Sequence, residues 1–254
     1  MNNIYEDLKD ALDKKQGVAL ATVVGGPAHV GTKLLVFPNK TAHGTLGLPE
    51  LDEYVRADAA NAIWSGDASI FSYSLPTAQS FDVFIEGFPP PPMLIIVGAG
   101  HIAIPLTIFA KTLNYRVVVI DARAAFATRE RFPSADELIV AWPDETLEKM
   151  DLYPSTSVAV LTHDPKFDEP TLKVVLTRNF GYIGAIGNRK TGADRAERLL
   201  KQGLTEEQIK RIHGPIGLNI GGAEPEEMAL AIMAEIVAVR HHKNPTEILD
   251  WTKK

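Results

Sequence analysis

The sequence predicts an α/β protein whose C-terminal part is a doubly wound parallel sheet and whose smaller N-terminal part is α+β. Three observations carry this. Gly87-Phe-Pro-Pro-Pro-Pro92 contains four consecutive prolines, a run that favours extended polyproline II geometry and a semi-rigid spacer. After it, continuous apolar runs alternate with helical stretches, the pattern of parallel strands covered on both faces. Directly behind the first run stands Gly98-Ala-Gly100-His-Ile-Ala103, a glycine turn between strand and helix. The chain therefore divides into residues 1–86, a spacer at 87–92, and residues 93–254.

In the first part, Ile4, Leu8, Ala11 and Leu12 recur at helical spacing. Val18 to Val24 and Lys33 to Phe37 read as short strands on either side of the turn-rich Gly25-Gly-Pro-Ala-His-Val-Gly31. Leu51 to Trp64 reads as helix, and Ser69 to Tyr73 and Phe81 to Glu86 alternate like strands. In the second part, Met93 to Val97 is an unbroken apolar strand and Ile102 to Leu113 is helical in pattern. Arg116 to Ile120, Leu138 to Val140, Ser157 to Leu161 and Tyr182 to Ile186 repeat the strand theme. Glu224-Pro225-Glu226-Glu227 reads as a helix start, with Pro at the first position and acids in the first turn.

Composition narrows the function classes. The 254 residues contain no cysteine, which excludes disulfides, zinc ribbons, thiolate-held clusters and thiol nucleophiles. Hydrophobic residues make up 45% and charged residues 23%, an ordinary balance for a folded soluble chain. A net charge of −6 makes general nucleic-acid binding a poor fit, since that needs a basic face. Glu235 interrupts the longest apolar stretch, near Met228 to Val239, so no membrane span is expected. Met1-Asn-Asn-Ile-Tyr-Glu-Asp does not read as a signal peptide. A cytoplasmic protein follows as the default, with a homodimer as the commonest assembly.

The candidate site residues come from loops that follow strands. Gly98 permits a tight turn, Gly100 lets a phosphate approach the backbone, and Ala103 lets helix and strand pack closely. The helix start supplies free N–H groups and a positive dipole. Asp121 ends the next strand, where a carboxylate can hold a ribose hydroxyl. Together these define a Rossmann-like fingerprint, read either as a working nucleotide site or as a fold that has lost its ligand. Arg123 either favours a 2′-phosphate or is simply solvated.

After the fourth strand, Thr162-His163-Asp164-Pro-Lys166-Phe-Asp168 is either a ligand loop or a polar turn, with Asp168 favoured as cap of a helix starting near Glu169-Pro170. His163 and Asp164 are the catalytic candidates, and neither is firm. Gly187-Asn-Arg189-Lys190 is read as an anion cradle at a helix start. The bland alternative is a solvated basic face continued by Arg195, Arg198 and Lys201. His213 lies in the glycine-punctuated stretch Arg211 to Gly222 and either meets a ligand or bonds a backbone carbonyl. No metal-ligand cluster emerges.

The joint pattern resembles the XdhC/CoxI family of xanthine dehydrogenase accessory factors. It is carried by Gly98-Ala-Gly-His101, Thr162-His163-Asp164, Tyr182-Ile-Gly184-Ala-Ile-Gly187-Asn-Arg189 and Ile212-His213-Gly-Pro215-Ile-Gly217-Leu-Asn-Ile-Gly221, followed by a helix from Pro225 through Glu235. The resemblance implies a divergent XdhC/CoxI-like first domain and a Rossmann-like second one. It implies an accessory protein that binds molybdenum cofactor, as molybdopterin or its dinucleotide, and assists its insertion into a xanthine dehydrogenase-type molybdenum hydroxylase. His101 and Gly217 join the candidate set through these motifs. The first domain departs from the family pattern, with Ala28 at an arginine position and Leu48 and Pro49 at glycine positions. An NAD(P)-dependent oxidoreductase using the same fingerprint, with His163 as acid–base, is the alternative; an accessory protein is the expectation over an enzyme.

Overall fold

A computed structural model describes residues 3–150 and 152–243; the end of the predicted second part, 244–254, lies outside them. The chain forms two compact units, one up to Pro91 and one from Pro92 onward.

The first unit is a five-stranded antiparallel sheet in the order β3-β2-β1-β5-β4. Its elements are α1 (Ile4–Asp13), β1 (Val18–Gly25), β2 (Lys33–Val36), β3 (Ala42–Thr45), α2 (Pro49–Ser65), β4 (Ala68–Ser74) and β5 (Ser80–Phe88). Side chains alternate across a pleated strand, and the burial follows. Leu34 and Val36 join Val55, Ala59 and Ile63 of α2 in one core. Leu35 points the other way, into a cluster with Ala11 of α1 and Val18. Asn3 caps α1 by accepting from the Tyr5 N–H, while Pro49 starts α2 and a left-handed Gly66 ends it. Strand β3, Ala-His-Gly-Thr, has Thr45 as its single usual strand former, and the sequence pattern does not mark it; pairing with β2 makes it a strand. Strand β5 keeps its partner through Phe88. Gly87 and Phe88, read from sequence as spacer, thus belong to the sheet.

The second unit is a six-stranded sheet in the order β11-β10-β9-β6-β7-β8, every pair parallel. In chain order it runs β6 (Met93–Val97), α3 (Ala103–Thr112), β7 (Arg116–Ile120), β8 (Glu137–Ile139), α4 (Pro143–Lys149), β9 (Thr156–Val160), α5 (Pro165–Leu176), β10 (Tyr182–Ala185), α6 (Arg189–Lys201), α7 (Glu206–Ile209), β11 (Ile212–His213) and α8 (Pro225–Arg240). Leu94 and Ile96 face Leu106 of α3 and Ile232 and Ile236 of α8. Met93, Ile95 and Val97 face Leu147 of α4, Leu172 and Val175 of α5, and Leu199 of α6. Each fully buried aliphatic side chain of this kind contributes about 1.5–3 kcal/mol relative to exposure.

Strand β6 lies between β7 and β9, so the chain leaves it first toward one edge and later returns to the other side. This is a topological switch point, where the carboxyl ends of the strands open a crevice. The predicted Rossmann-like architecture is therefore observed. Helix α5 starts earlier than read from sequence. Asp164 is its cap and Pro165 its first residue, and Pro170 lies inside it. Asp168 is consequently not a cap.

Close packing in the first unit yields a stability test. A Cβ at Gly87 would stand 1.8 Å from the carbonyl oxygen of Ala62, where α2 crosses β5. Gly87→Ala is expected to lower stability by more than about 2 kcal/mol. Gly192→Ala, within α6 and with nothing near its Cβ position, should raise it by about 0.5–1 kcal/mol. Urea midpoints of the two variants read both signs.

Candidate functional site

The turn from β6 into α3 is fixed by contact. Gly98 sits at φ +103°, and a Cβ there would lie 2.7 Å from the Thr162 methyl and 3.1 Å from backbone at Leu161 and Thr162. Only glycine fits between β6 and the strand-end loop of β9. Gly100 is the opposite case, since a Cβ there would enter open space. Helix α3 has no side-chain cap at Ile102 and no acid in its first turn. The Ile104 N–H donates to the His101 carbonyl (3.4 Å) and Pro105 has no N–H, so the Ala103 N–H and the positive dipole are what the helix start presents. Ala103 is fully buried against the sheet, and His101 is exposed beside the turn. An uncapped helix start beside an open glycine fits a phosphate group.

At the end of β7, Asp121 is 3% exposed. One oxygen, Oδ2, accepts from the Ala99 N–H (2.8 Å) and from Arg123 Nη2 (2.7 Å). The other, Oδ1, accepts from the N–H and Nε of Arg123, both at 2.9 Å. Burial alone would raise this carboxyl, but the Arg123 and Ala99 hydrogen bonds outweigh it and hold it below its ordinary 3.8. Arg123 is not free in solvent: its guanidinium is clasped to Asp121 and lies 4.4 Å from the Phe126 ring centroid. Arg131 Nη1 donates to the carbonyls of Ala99 (2.8 Å) and Phe126 (2.6 Å). The Ala99 residue is thus held by its N–H and its carbonyl.

The loop after β9 presents an exposed His163 at φ +61°, a left-handed conformation uncommon outside glycine. Asp164 Oδ1 accepts from the Lys166 N–H at 3.1 Å and caps α5. Asp168 is buried, receives the Thr162 hydroxyl, and lies 3.4 Å from Arg195 Nη2. Burial raises its carboxyl, with Thr162 and Arg195 pulling it down only in part. Arg195 also donates to the Ile186 carbonyl at 2.6 Å. The sequence reading of Arg195 as part of a solvated face is corrected, because α6 turns this residue inward at 4% side-chain exposure. At the start of α6, Asn188 Oδ1 already takes the Thr191 N–H (2.8 Å). Gly187 is at φ +134°, and Arg189 and Lys190 stand exposed. The cradle there keeps its two cations but has one backbone donor fewer to offer.

His213, on β11, meets a group that sequence reading did not single out. Glu235 of α8 is buried and accepts from Tyr182 Oη (2.5 Å), the Gly217 N–H (2.8 Å) and His213 Nδ1 (3.2 Å). The Tyr182 and His213 rings lie 4.6 Å apart. Burial pushes Glu235 up, but the bonds from His213, Tyr182 and Gly217 win and hold it below its ordinary 4.5. Burial, with Glu235 alongside, drives the Tyr182 hydroxyl well above its usual range. With Glu235 ionised, Nδ1 of His213 is the donor and Nε2 is its other nitrogen. The alternatives for His213, a ligand or a backbone carbonyl, are replaced on this nitrogen by a carboxylate. The available signal was Glu235 itself, an acid breaking an apolar helix.

In the first unit, Asp52 accepts from the Leu46 N–H (2.7 Å) and the Thr45 hydroxyl (2.8 Å). It fixes the glycine stretch before α2. Among the described residues no group of three or more His, Cys, Asp or Glu could hold a metal. No helix among them is long and apolar enough to cross a membrane.

Comparison with known proteins places both units. Residues 94–236 match the XdhC Rossmann domain family, and residues 11–74 match the XdhC and CoxI family. A relative in Bacillus subtilis (strain 168), named as a probable subunit of xanthine dehydrogenase, is 35% identical over 162 residues, 64% of this chain and 47% of that protein. The Escherichia coli (strain K12) protein named Molybdenum cofactor insertion chaperone PaoD is 29% identical over 94 residues, 37% of this chain and 30% of its own. The chain thus spans less than half the length of either. A solved structure described as a xanthine dehydrogenase from Bacillus halodurans shares the fold, with a TM-score of 0.55 at 20% identity, over 97% of this chain and 98% of that one.

The Glu235 cluster predicts a pH-dependent stability. Its folded-state carboxyl lies below the unfolded value, so its contribution is complete above the ordinary 4.5 and is lost as pH falls through the lower folded value. Glu235→Gln should destabilise by about 2 kcal/mol at pH 7. The gap between wild type and variant should close as pH drops below 4.5. Urea midpoints across pH 3 to 7 read the effect, and a gap that stays constant contradicts it.

Proposed function

The chain belongs to the XdhC and CoxI family, and from that premise we propose that it is an accessory protein that binds molybdenum cofactor and assists its insertion into a xanthine dehydrogenase-type hydroxylase. The names of the two relatives support this reading, one as part of a xanthine dehydrogenase and one as a cofactor insertion chaperone. The observation that carries it on this chain is the open turn at Gly100 before the uncapped start of α3. In this reading the cofactor's phosphate, in the molybdopterin or the dinucleotide form, lies on the Gly98–Ala103 turn, with the exposed Arg189 and Lys190 adding positive charge. His101, His163, Asp164 and His213 border the pterin end. The cofactor itself brings the molybdenum and its dithiolene sulfur. The sequence has no cysteine, so the protein contributes no thiolate and only His, carboxylate or water remain as protein-side ligands.

Each part of the chain then has a task in holding and releasing the ligand, not in converting it. Backbone amides of the turn, up to Ala103, take up phosphate charge, and the close packing at Gly98 keeps them aimed. The exposed His163 can donate to a pterin edge or move away with its loop. A homodimer in the cytoplasm is the setting we propose. The alternative, an NAD(P)-dependent oxidoreductase, uses the same turn; tight NAD(P)H binding together with turnover of a carbonyl substrate would favour it.

Gly100→Val tests the proposal at a position where a Cβ meets nothing within 4 Å. Pterin copurifying with the wild-type chain, read by fluorescence after oxidation, should fall at least tenfold in the variant while its circular dichroism is unchanged. Absence of any pterin species from wild-type protein expressed with its client hydroxylase would remove this function.

A further inference from the structure

We infer that Arg123, clasped to Asp121, makes the β7 end of this site a reader of a phosphomonoester and not of a ribose diol. The inference rests on the reading of the β6–α3 turn as a phosphate site and specifies what a nucleotide seated there carries on its ribose. An acid at the end of the second strand in this fold ordinarily accepts from ribose hydroxyls, and for that it must have lone pairs to offer. A carboxylate has about four such positions. Here they are filled by the Ala99 N–H and Arg123 Nη2 on Oδ2, and by the Arg123 N–H and Nε on Oδ1. A diol would have to pull Arg123 away and leave a carboxylate that is 3% exposed without its cation.

The clasp leaves the arginine with a useful edge. A guanidinium has five N–H donors; Nε and one on Nη2 are spent on Asp121. The others remain on a side chain that is 38% exposed and stacked on Phe126 at 4.4 Å, with the Phe167 ring at 5.9 Å. A planar fork held by one carboxylate and one ring is pre-organised for two oxygens of a phosphate. Among the charges facing Arg123 is also Asp164, whose carboxylate lies 3.5 Å from Lys166 Nζ. Each acid at this end therefore has a basic partner, and the incoming dianion does not meet an unpaired carboxylate. A nucleotide phosphorylated on its ribose has this chemistry, with one phosphate for the turn and a second for Arg123; a pterin with a single phosphate cannot fill both places.

Calorimetric titration of the full chain with 2′,5′-ADP against 5′-AMP tests this. We expect at least a tenfold preference for 2′,5′-ADP. Arg123→Ala, which frees the two Asp121 lone pairs held by Nε and Nη2, should abolish or invert that preference. If it does not fold, Arg123→Gln, which keeps an amide donor near Asp121 without the charge, should reduce it. Equal or tighter binding of 5′-AMP, no binding of either nucleotide, or an unchanged ratio in the variants overturns the inference. Absence of any pterin from the purified chain with the 2′,5′-ADP preference intact would remove the cofactor proposal and leave this one standing. Copurified pterin with no preference between the nucleotides would do the reverse.

Discussion

The second unit depends on one close approach, that of Gly98 to the backbone at Leu161 and Thr162. Strand β6 is buried on both faces and paired on both edges, so the chain can leave it only at its end. It does so in a space too narrow for a Cβ. The next residue, Ala99, is then held through its N–H by Asp121 and through its carbonyl by Arg131. These contacts fix where α3 starts and where its unpaired N–H groups point. A rigid, uncapped helix start directs its positive dipole into the crevice.

Three buried carboxylates extend this rigidity over the other strand ends. Asp121 binds the β6 turn to the end of β7. Asp168 links the loop after β9, through Thr162, to Arg195 of α6 and so to the carbonyl of Ile186 after β10. Glu235 gathers β10, β11 and the following loop onto α8 through Tyr182, His213 and Gly217. Their protonation behaviour differs with their partners. Asp121 and Glu235 receive enough hydrogen bonds to overcome burial, whereas Asp168, with a longer contact to its arginine, does not. Breaking any one of them would leave a buried charge or polar group unpaired, which is why such networks hold loops in one arrangement.

Much of the fold is legible in the chain. Apolar runs buried on both faces announce β6, β7 and β9, and the glycine turn places α3. Where the pattern misleads, other contacts or signals overrule the local reading. Strand β3 has one strand former, Thr45, among its four residues and exists because β2 offers an edge. Helix α5 starts ahead of its expected position because Pro170 looks like a first-turn proline, while Asp164 and Pro165 already supply the cap and the start. Arg195 reads as solvated because its neighbours Arg198 and Lys201 are charged, yet the 3.6-residue period turns it toward Asp168.

The sequence by itself determined the class of this protein. Apolar runs, a glycine turn between strand and helix, and the order of motifs point to one parallel sheet, one candidate phosphate turn and one family. All of these are written locally, within a strand, a turn or a helix. Only the tertiary structure decided how the site's charges are spent. Whether Asp121 has a lone pair for a sugar depends on Arg123 and on the Ala99 N–H, which is 22 residues away. Whether His213 faces a carbonyl or a carboxylate depends on Glu235, also 22 residues away. Hydrogen bonds are directional and short-ranged, so which donors reach which acceptor is settled by packing and leaves no mark in the order of residues.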